Sequence, residues 1–247
     1  MRFALFRRTE VEPVHLDVSH DGQTFQVALK RRSAARRMTL RVSSATGAIV
    51  LTLPDRVSLA DARRFADAHG GWIAARLARI PARVAFMPDA RIPLRGVPHR
   101  IVQSAASGRA ASAFLDPSGE PIITVPAEAP HVARRVRALL MCEAKRDLIV
   151  AVKRHTDALG VPARGITVRD TRSRWGSCSA QGSLNFSWRL ILAPPFVLDY
   201  LAAHEVAHLK EMNHSSRFWR VAHGLCSRVE EAERWLKRNG ADLHRYG

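Results

Sequence analysis

The chain has 247 residues, 47% of them hydrophobic, and a formal net charge of +17. That apolar content excludes a disordered chain, and the length is enough for a sizeable core in one or two domains. The positive charge is nearly all arginine, with lysine only at Lys30, Lys145, Lys153, Lys210 and Lys237. An excess of this size points to polyanionic neighbours such as nucleic acid or nucleotides. An Ala- and Arg-rich, Lys-poor composition is also what a high-GC bacterial genome yields without selection for binding.

The first eight residues, Met1 to Arg8, lack the apolar run of a signal peptide. No stretch approaches the ~20 apolar residues that span a bilayer. The three cysteines, Cys142, Cys178 and Cys226, are odd in number and form no C-x-x-C pair. They fit a reducing, cytoplasmic setting better than a disulfide framework.

Residues 14–53 read as strands. Phe25, Val27 and Leu29 alternate with polar positions, as do Met38, Leu40 and Val42, then Ile49, Leu51 and Leu53 after a turn at residues 44–47. Ser58-Leu59-Ala60-Asp61 has the form of a capping box and opens a helix to about Ala68. Gly70-Gly71 is expected to break it before a second helix from Trp72. Short strands are expected at 92–102 around a Gly96-Val97-Pro98 turn, at 113–115 and at 122–125, with a loop at 103–112. From Pro130 the texture changes: helix-period apolar positions run from His131 to Leu159 and stop at Gly160-Val161-Pro162. Strands are expected at 166–169 and 185–192, joined as a hairpin by the turn-rich 176–182. Pro194-Pro195 then start a helix. Two further helices are expected at 215–226 and 227–239, the second with Ser227-x-x-Glu230 as a capping box and Gly240 as its stop. No internal repeat is evident. The texture divides the chain into a β-rich region 1–128 and a second region 129–247.

The strongest chemical signal is His204-Glu205-Val206-Ala207-His208, followed by His214. Histidines at i and i+4 stand one above the other on a helix, so both imidazoles can converge on one tetrahedral metal at ~2.0–2.1 Å. Lys210-Glu211-Met212-Asn213 lets the chain turn back, which makes His214 a candidate third ligand. Glu205 points to one side of the same face, where a water could be held. Such a string arises by chance in about two chains in a hundred of this composition. Its place on an otherwise apolar helix lowers that further.

Arg174-Trp175-Gly176-Ser177-Cys178, Trp188-Arg189-Leu190-Ile191-Leu192-Ala193-Pro194, the histidine string with Leu209, and Asn213-His214-Ser215 with Phe218-Trp219 together resemble the YgjP-like metallopeptidase family, a relative of the SprT and WLM zinc proteases. The segment 31–42 and Trp72-Ile73 resemble that family's amino-terminal part. The resemblance implies an α+β protein whose second region is a zincin-like catalytic domain: a long helix, a small antiparallel sheet, the zinc helix and C-terminal helices. It also implies Zn²⁺ as cofactor, His204, His208 and His214 as its ligands and Glu205 as general base. A rival third ligand is a glutamate on the last helix, Glu230, Glu231 or Glu233. His214 is preferred because three neutral imidazoles make an adequate open site.

Tyr200, one turn before His204, and Arg174 are candidates to meet the oxyanion. Arg174 and Arg189 also read as structural ion-pair partners, Trp175, Trp188 and Trp219 as packing, and Cys178 as a small buried residue. The strand 185–192 could offer an edge to an extended peptide. The expected activity is therefore peptide hydrolysis on a protein or peptide substrate. The same site could instead act on a nucleoside triphosphate or phosphate ester. A third reading is a nucleic-acid-associated protein with a structural zinc, using its arginine-rich surface. No membrane partner is expected.

Overall fold

The computed structural model describes residues 15–43, 46–80, 82–104, 110–126, 129–171 and 174–247. The reading of Met1 to Arg8 and parts of the expected 44–47 turn and 103–112 loop lie outside them. Among the described residues the protein is α+β, with three small sheets and six α-helices. No helix among them is long and apolar enough to cross a membrane. The chain divides into two compact units, Met1–Pro81 and Ala82–Gly247.

The first unit holds β1 (His15–His20), β2 (Gln23–Arg31), β3 (Thr39–Val42), β4 (Ile49–Leu53), α1 (Leu59–Ala68) and α2 (Gly70–Leu77). The sheet order is β1-β2-β4-β3, with β2 and β4 parallel and the outer pairs antiparallel. Asp21 and Gly22 both take positive φ, the geometry that lets a two-residue turn follow strand twist. The alternation seen in the sequence puts Leu16, Val18, Phe25, Val27, Leu51 and Leu53 on one face, against Ala62, Ala66 and Ile73 of the helices. The box at Ser58 forms: its hydroxyl oxygen accepts the Asp61 N–H at 3.1 Å and its O–H donates to the Asp61 carboxylate at 2.6 Å. The break between the helices falls at His69, and Gly70 and Gly71 belong to the first turn of α2.

The second unit opens with β5 (Arg91–Leu94), β6 (Val97–Gln103), β7 (Ser112–Leu115) and β8 (Pro121–Val125), followed by α3 (Ala129–Leu159). Their sheet has the order β5-β6-β8-β7, again with a parallel central pair and antiparallel flanks. Its hairpin turn, Arg95-Gly96, repeats the positive-φ pair. The same topology therefore occurs twice, although the sequence shows no repeat, because strand order depends on apolar alternation and turn geometry and not on residue identity. Ile92, Leu94, Ile101, Ile123 and Val125 share one core with Val132, Val136, Leu140 and Leu148 of α3. That shared core is why the compact division falls after Pro81 and not at 128/129, where the texture changes.

The third sheet joins β9 (Gly165–Arg169), β10 (Gly176–Cys178) and β11 (Ser183–Ser187) in the order β10-β11-β9. It is mixed, not antiparallel: β10 and β11 form the hairpin, while β9 and β11 run parallel. The expected strand 185–192 stops at Ser187 and continues as a short 3-10 helix, Trp188–Leu192, whose five residues are all buried. Then come α4 (Pro195–Ala207), α5 (Ser216–Leu225) and α6 (Val229–Leu243). Pro194 caps α4 and Pro195 sits in its first turn, as expected. The Ser227 box does not form: the cap is Arg228, whose guanidinium holds Glu231 at 2.6 Å through two nitrogens. Gly240 does not stop α6 but lies buried within it, where a β-carbon would come into van der Waals contact with Trp175.

Candidate metal centre

Helix α4 is apolar nearly all round, which buries it between neighbours. Its last turn carries His204 and Glu205, and His208 caps it. His204 is half-buried, Glu205 and His208 are buried, and the chain then turns so that exposed His214 comes back to them. The ligand atoms of His204, His208 and His214 lie within 4.8 Å of one another, a group that can hold a metal ion. None of Glu230, Glu231 and Glu233 joins that group. Glu230 lies 3.7 Å from His223, Glu231 is held by Arg228, and Glu233 accepts a hydrogen bond from Tyr200.

The bonds behind the imidazoles fix which nitrogen faces inward. The His208 Nδ1 lies 2.9 Å from the Glu211 carbonyl, which can only accept. The proton is therefore on Nδ1, and Nε2 carries the lone pair. The Tyr200 hydroxyl donates to Glu233 Oε1 at 2.9 Å, so the His204 Nδ1, 3.3 Å from the Tyr200 oxygen, meets an acceptor. The His204 Nε2 is then a lone pair as well, and it faces the His214 Nε2 at 3.1 Å. Two imidazole nitrogens at that distance need something shared between them. A divalent ion at ~2.0–2.1 Å from each satisfies the spacing, so the donor set fits the metal. Burial first, then the neighbouring His208 and His214, pushes the His204 pKa down to about 4, which keeps the ring neutral as a ligand must be. Phe218, fully buried, stacks on His208 at 4.5 Å and stands edge-on to His204 at 4.9 Å, walling the ligands from below.

Glu205 is 4% exposed. Burial pushes its carboxyl up to about 7, against the opposing charge of Arg174. Gly176 of β10 lies directly on it: a β-carbon there would stand 2.5 Å from Glu205 Oε1 and 2.7 Å from its Cγ. No side chain fits between that strand and the carboxylate. Tyr200 does not face the converging Nε2 atoms, because its buried hydroxyl lies on the far side of His204. Burial, with the Glu233 bond, raises its pKa well above the ordinary tyrosine value. Arg174 is exposed. Arg189 is structural: buried, it donates to Asp170 and to the carbonyls of Leu243 and Tyr246. Trp188 is fully buried, Trp175 stacks on His244, and Cys178 is half-buried with its thiol raised by burial and by Glu205. The sequence reading had no role for Gly176 and Phe218, though both lie in the quoted motifs, and considered Glu233 only as a ligand.

The fold and site define an α+β protein with a metal-competent triad of histidines beside a buried carboxylate. The profile of a family described as "YgjP-like, metallopeptidase domain" matches residues 36–239, and the chain belongs to that family. Among solved structures it is similar to the metallopeptidase zymogen abylysin of Pyrococcus abyssi, with 22% identity and a TM-score of 0.34 over 37% of this chain and 93% of that one. A comparison with curated proteins found no match.

Proposed function

We propose that the chain is a zinc-dependent peptidase with a zincin-like site, in which His204, His208 and His214 hold the ion and Glu205 is the general base. The observation that carries this reading is the convergence of three imidazoles, two of them oriented by hydrogen bonds, beside one desolvated carboxylate. Zinc held there would supply Lewis-acid activation of a water and a substrate carbonyl. Glu205 takes the proton of the attacking water and passes it to the leaving amine. A carboxyl that binds protons more readily than usual suits both transfers. Tyr200 and Glu233 act as positioning residues that keep the His204 proton on Nδ1. Arg174, whose charge is felt at Glu205, is assigned to the negative charge that develops on the substrate.

The peptide-binding edge moves from the strand expected in the sequence. β11 is paired on both sides, whereas β10 is an edge strand and carries Gly176 against Glu205. An extended substrate pairing with β10 would bring its backbone to the carboxylate. The phosphate-ester reading needs several cations at the site, and the cation felt by Glu205 is Arg174.

The test compares zinc content and casein hydrolysis in wild type, Glu205→Gln, His214→Ala and Glu230→Ala. Glu205→Gln is expected to keep zinc and lose roughly 10²–10⁴-fold in turnover. His214→Ala is expected to lose zinc and Glu230→Ala to keep it. Full turnover by Glu205→Gln, or hydrolysis of nucleoside triphosphates but not casein by the wild type, would refute the reading.

A further inference from the structure

The end of the first sheet where β2 and β4 finish and β3 begins gathers positive charge that the metal centre does not use. Register places Lys30 beside Thr52 and Thr52 beside Thr39, with Arg31 beside Leu53 at the edge. The link from β2 to β3 crosses this end and carries Arg32, Arg36 and Arg37. The turn after β4 adds Arg56, and Arg31 ties that turn down by donating to the carbonyls of Pro54 and Asp55 at 3.0 and 2.9 Å. Arg41 lies two residues into β3, on the face opposite the core. Lys30, Arg32, Arg36, Arg37, Arg41 and Arg56 are all exposed. The guanidinium groups of Arg32, Arg36, Arg37, Arg41 and Arg56 have no hydrogen-bond or ion-pair partner among the described residues.

An arginine-rich composition does not account for this rim. Residues 30–56 carry a net charge of +6 in 27 residues, with Asp55 the one acid. The second sheet supplies the control. Its topologically equivalent stretch, 102–128, runs from Val102, paired with Thr124 beside Ser112, and also has 27 residues. Its net charge is −2. One strand order in one chain is thus built from a stretch of net charge +6 and from one of −2, so neither topology nor genomic bias imposes the charge.

We propose that this rim binds the phosphate backbone of double-stranded nucleic acid without sequence preference. Three adjacent strands span about 10 Å, and a duplex presents one charge per ~1.7 Å of axis, so several phosphates lie within reach of the rim. Thr39 and Thr52 add hydroxyls of the kind that meet phosphate oxygens. No aromatic residue occurs between Phe25 and Phe65, so there is no platform on which an unpaired base could stack. Among the described residues no helix lies in this stretch to enter a major groove. None of the exposed large apolar residues among those described falls in 30–56, which leaves a lipid surface without an anchor.

The test is fluorescence anisotropy of a labelled random 20-base-pair duplex with the full chain at 50–200 mM KCl. Five phosphate contacts predict a log–log salt slope of about −4.5 and a loss of affinity of roughly 500-fold across that range. The variant R32Q/R36Q/R37Q/R41Q/R56Q is expected to lose at least ~100-fold at 50 mM and to flatten the slope, with circular dichroism and zinc content unchanged. The milder R36Q/R37Q should reduce the slope by about 2. The helix-borne set R63Q/R64Q/R76Q should bind as wild type. Absence of binding at 50 mM, or an unchanged slope in both rim variants, overturns the proposal. So does tighter binding of single strands than duplex, or equal binding of phosphatidylserine vesicles or polyglutamate.

Discussion

In the second unit, Arg91 and Arg100 each reach Glu120 at 2.7 Å, and Arg95 is gripped by Asp147 at 2.7 Å and Glu143 at 2.6 Å. In the first unit a sheet of the same order leaves Arg32, Arg36, Arg37 and Arg41 facing solvent. The metal centre extends the contrast, since His204, Glu205 and His208 are largely withdrawn from water and the two imidazoles are held by Tyr200 and by the Glu211 carbonyl. Apolar alternation and two-residue turns suffice to build the sheet, so charge is left free to serve either internal pairing or an outside partner. Substitutions of the held groups should therefore be costly, and those of the bare groups nearly silent for folding and metal binding.

Among substitutions outside the proposed ligands and base, the largest effect should come from Gly176→Ala, where the fold leaves no room at all. The new methyl must displace Glu205, and a shift of about 1 Å at a reacting group costs on the order of 100-fold in turnover. Zinc content should be retained, since no ligand is touched. Steady-state casein hydrolysis with metal analysis measures this, and wild-type turnover would show that Glu205 does not need its observed place.

Tyr200→Phe should weaken zinc by about 10–100-fold, because it removes the acceptor for His204 Nδ1 and leaves Glu233 without its donor. Chelator competition gives the affinity, and imidazole nitrogen chemical shifts report whether the His204 proton leaves Nδ1. A purely packing role would leave those shifts unmoved.

Arg95→Gln should destabilise the protein by about 2 kcal/mol, leaving part-buried Asp147 and Glu143 with exposed Arg146 as their remaining cation among the described residues. Arg36→Gln should stay within about 0.5 kcal/mol of wild type. Urea denaturation of the pair bears directly on the contrast between the units. Equal effects would dissolve it.

The smallest effect concerns pH. Burial pushes the Asp199 carboxyl up, but the His155 hydrogen bond at 2.7 Å, with the charges of His155 and Arg154, outweighs it and leaves the carboxyl below its ordinary value. Its stabilisation is thus complete above the unfolded value of about 3.9 and is lost as pH falls through the lower folded value. Asp199→Asn should be less stable at pH 7 and show a shallower loss on acidification below about pH 4, followed by denaturant midpoints.

The sequence by itself determined what is local. Helix periodicity, the Ser58 box, the proline start of α4 and the i, i+4 histidines follow from contacts within a few residues, and all are visible in the order of side chains. The tertiary structure decided what depends on distant segments. It brought His214, and not a glutamate of α6, into the group with His204 and His208, because Glu230, Glu231 and Glu233 each found another partner. It overrode the Ser227 box because the Arg228–Glu231 pair occupies that turn, and it ran α6 through Gly240 because Trp175 packs there. It set Gly176 against Glu205, 29 positions away, and folded two unlike stretches into one strand order. Such outcomes rest on which surfaces can be buried together, a property that no window of neighbouring residues contains.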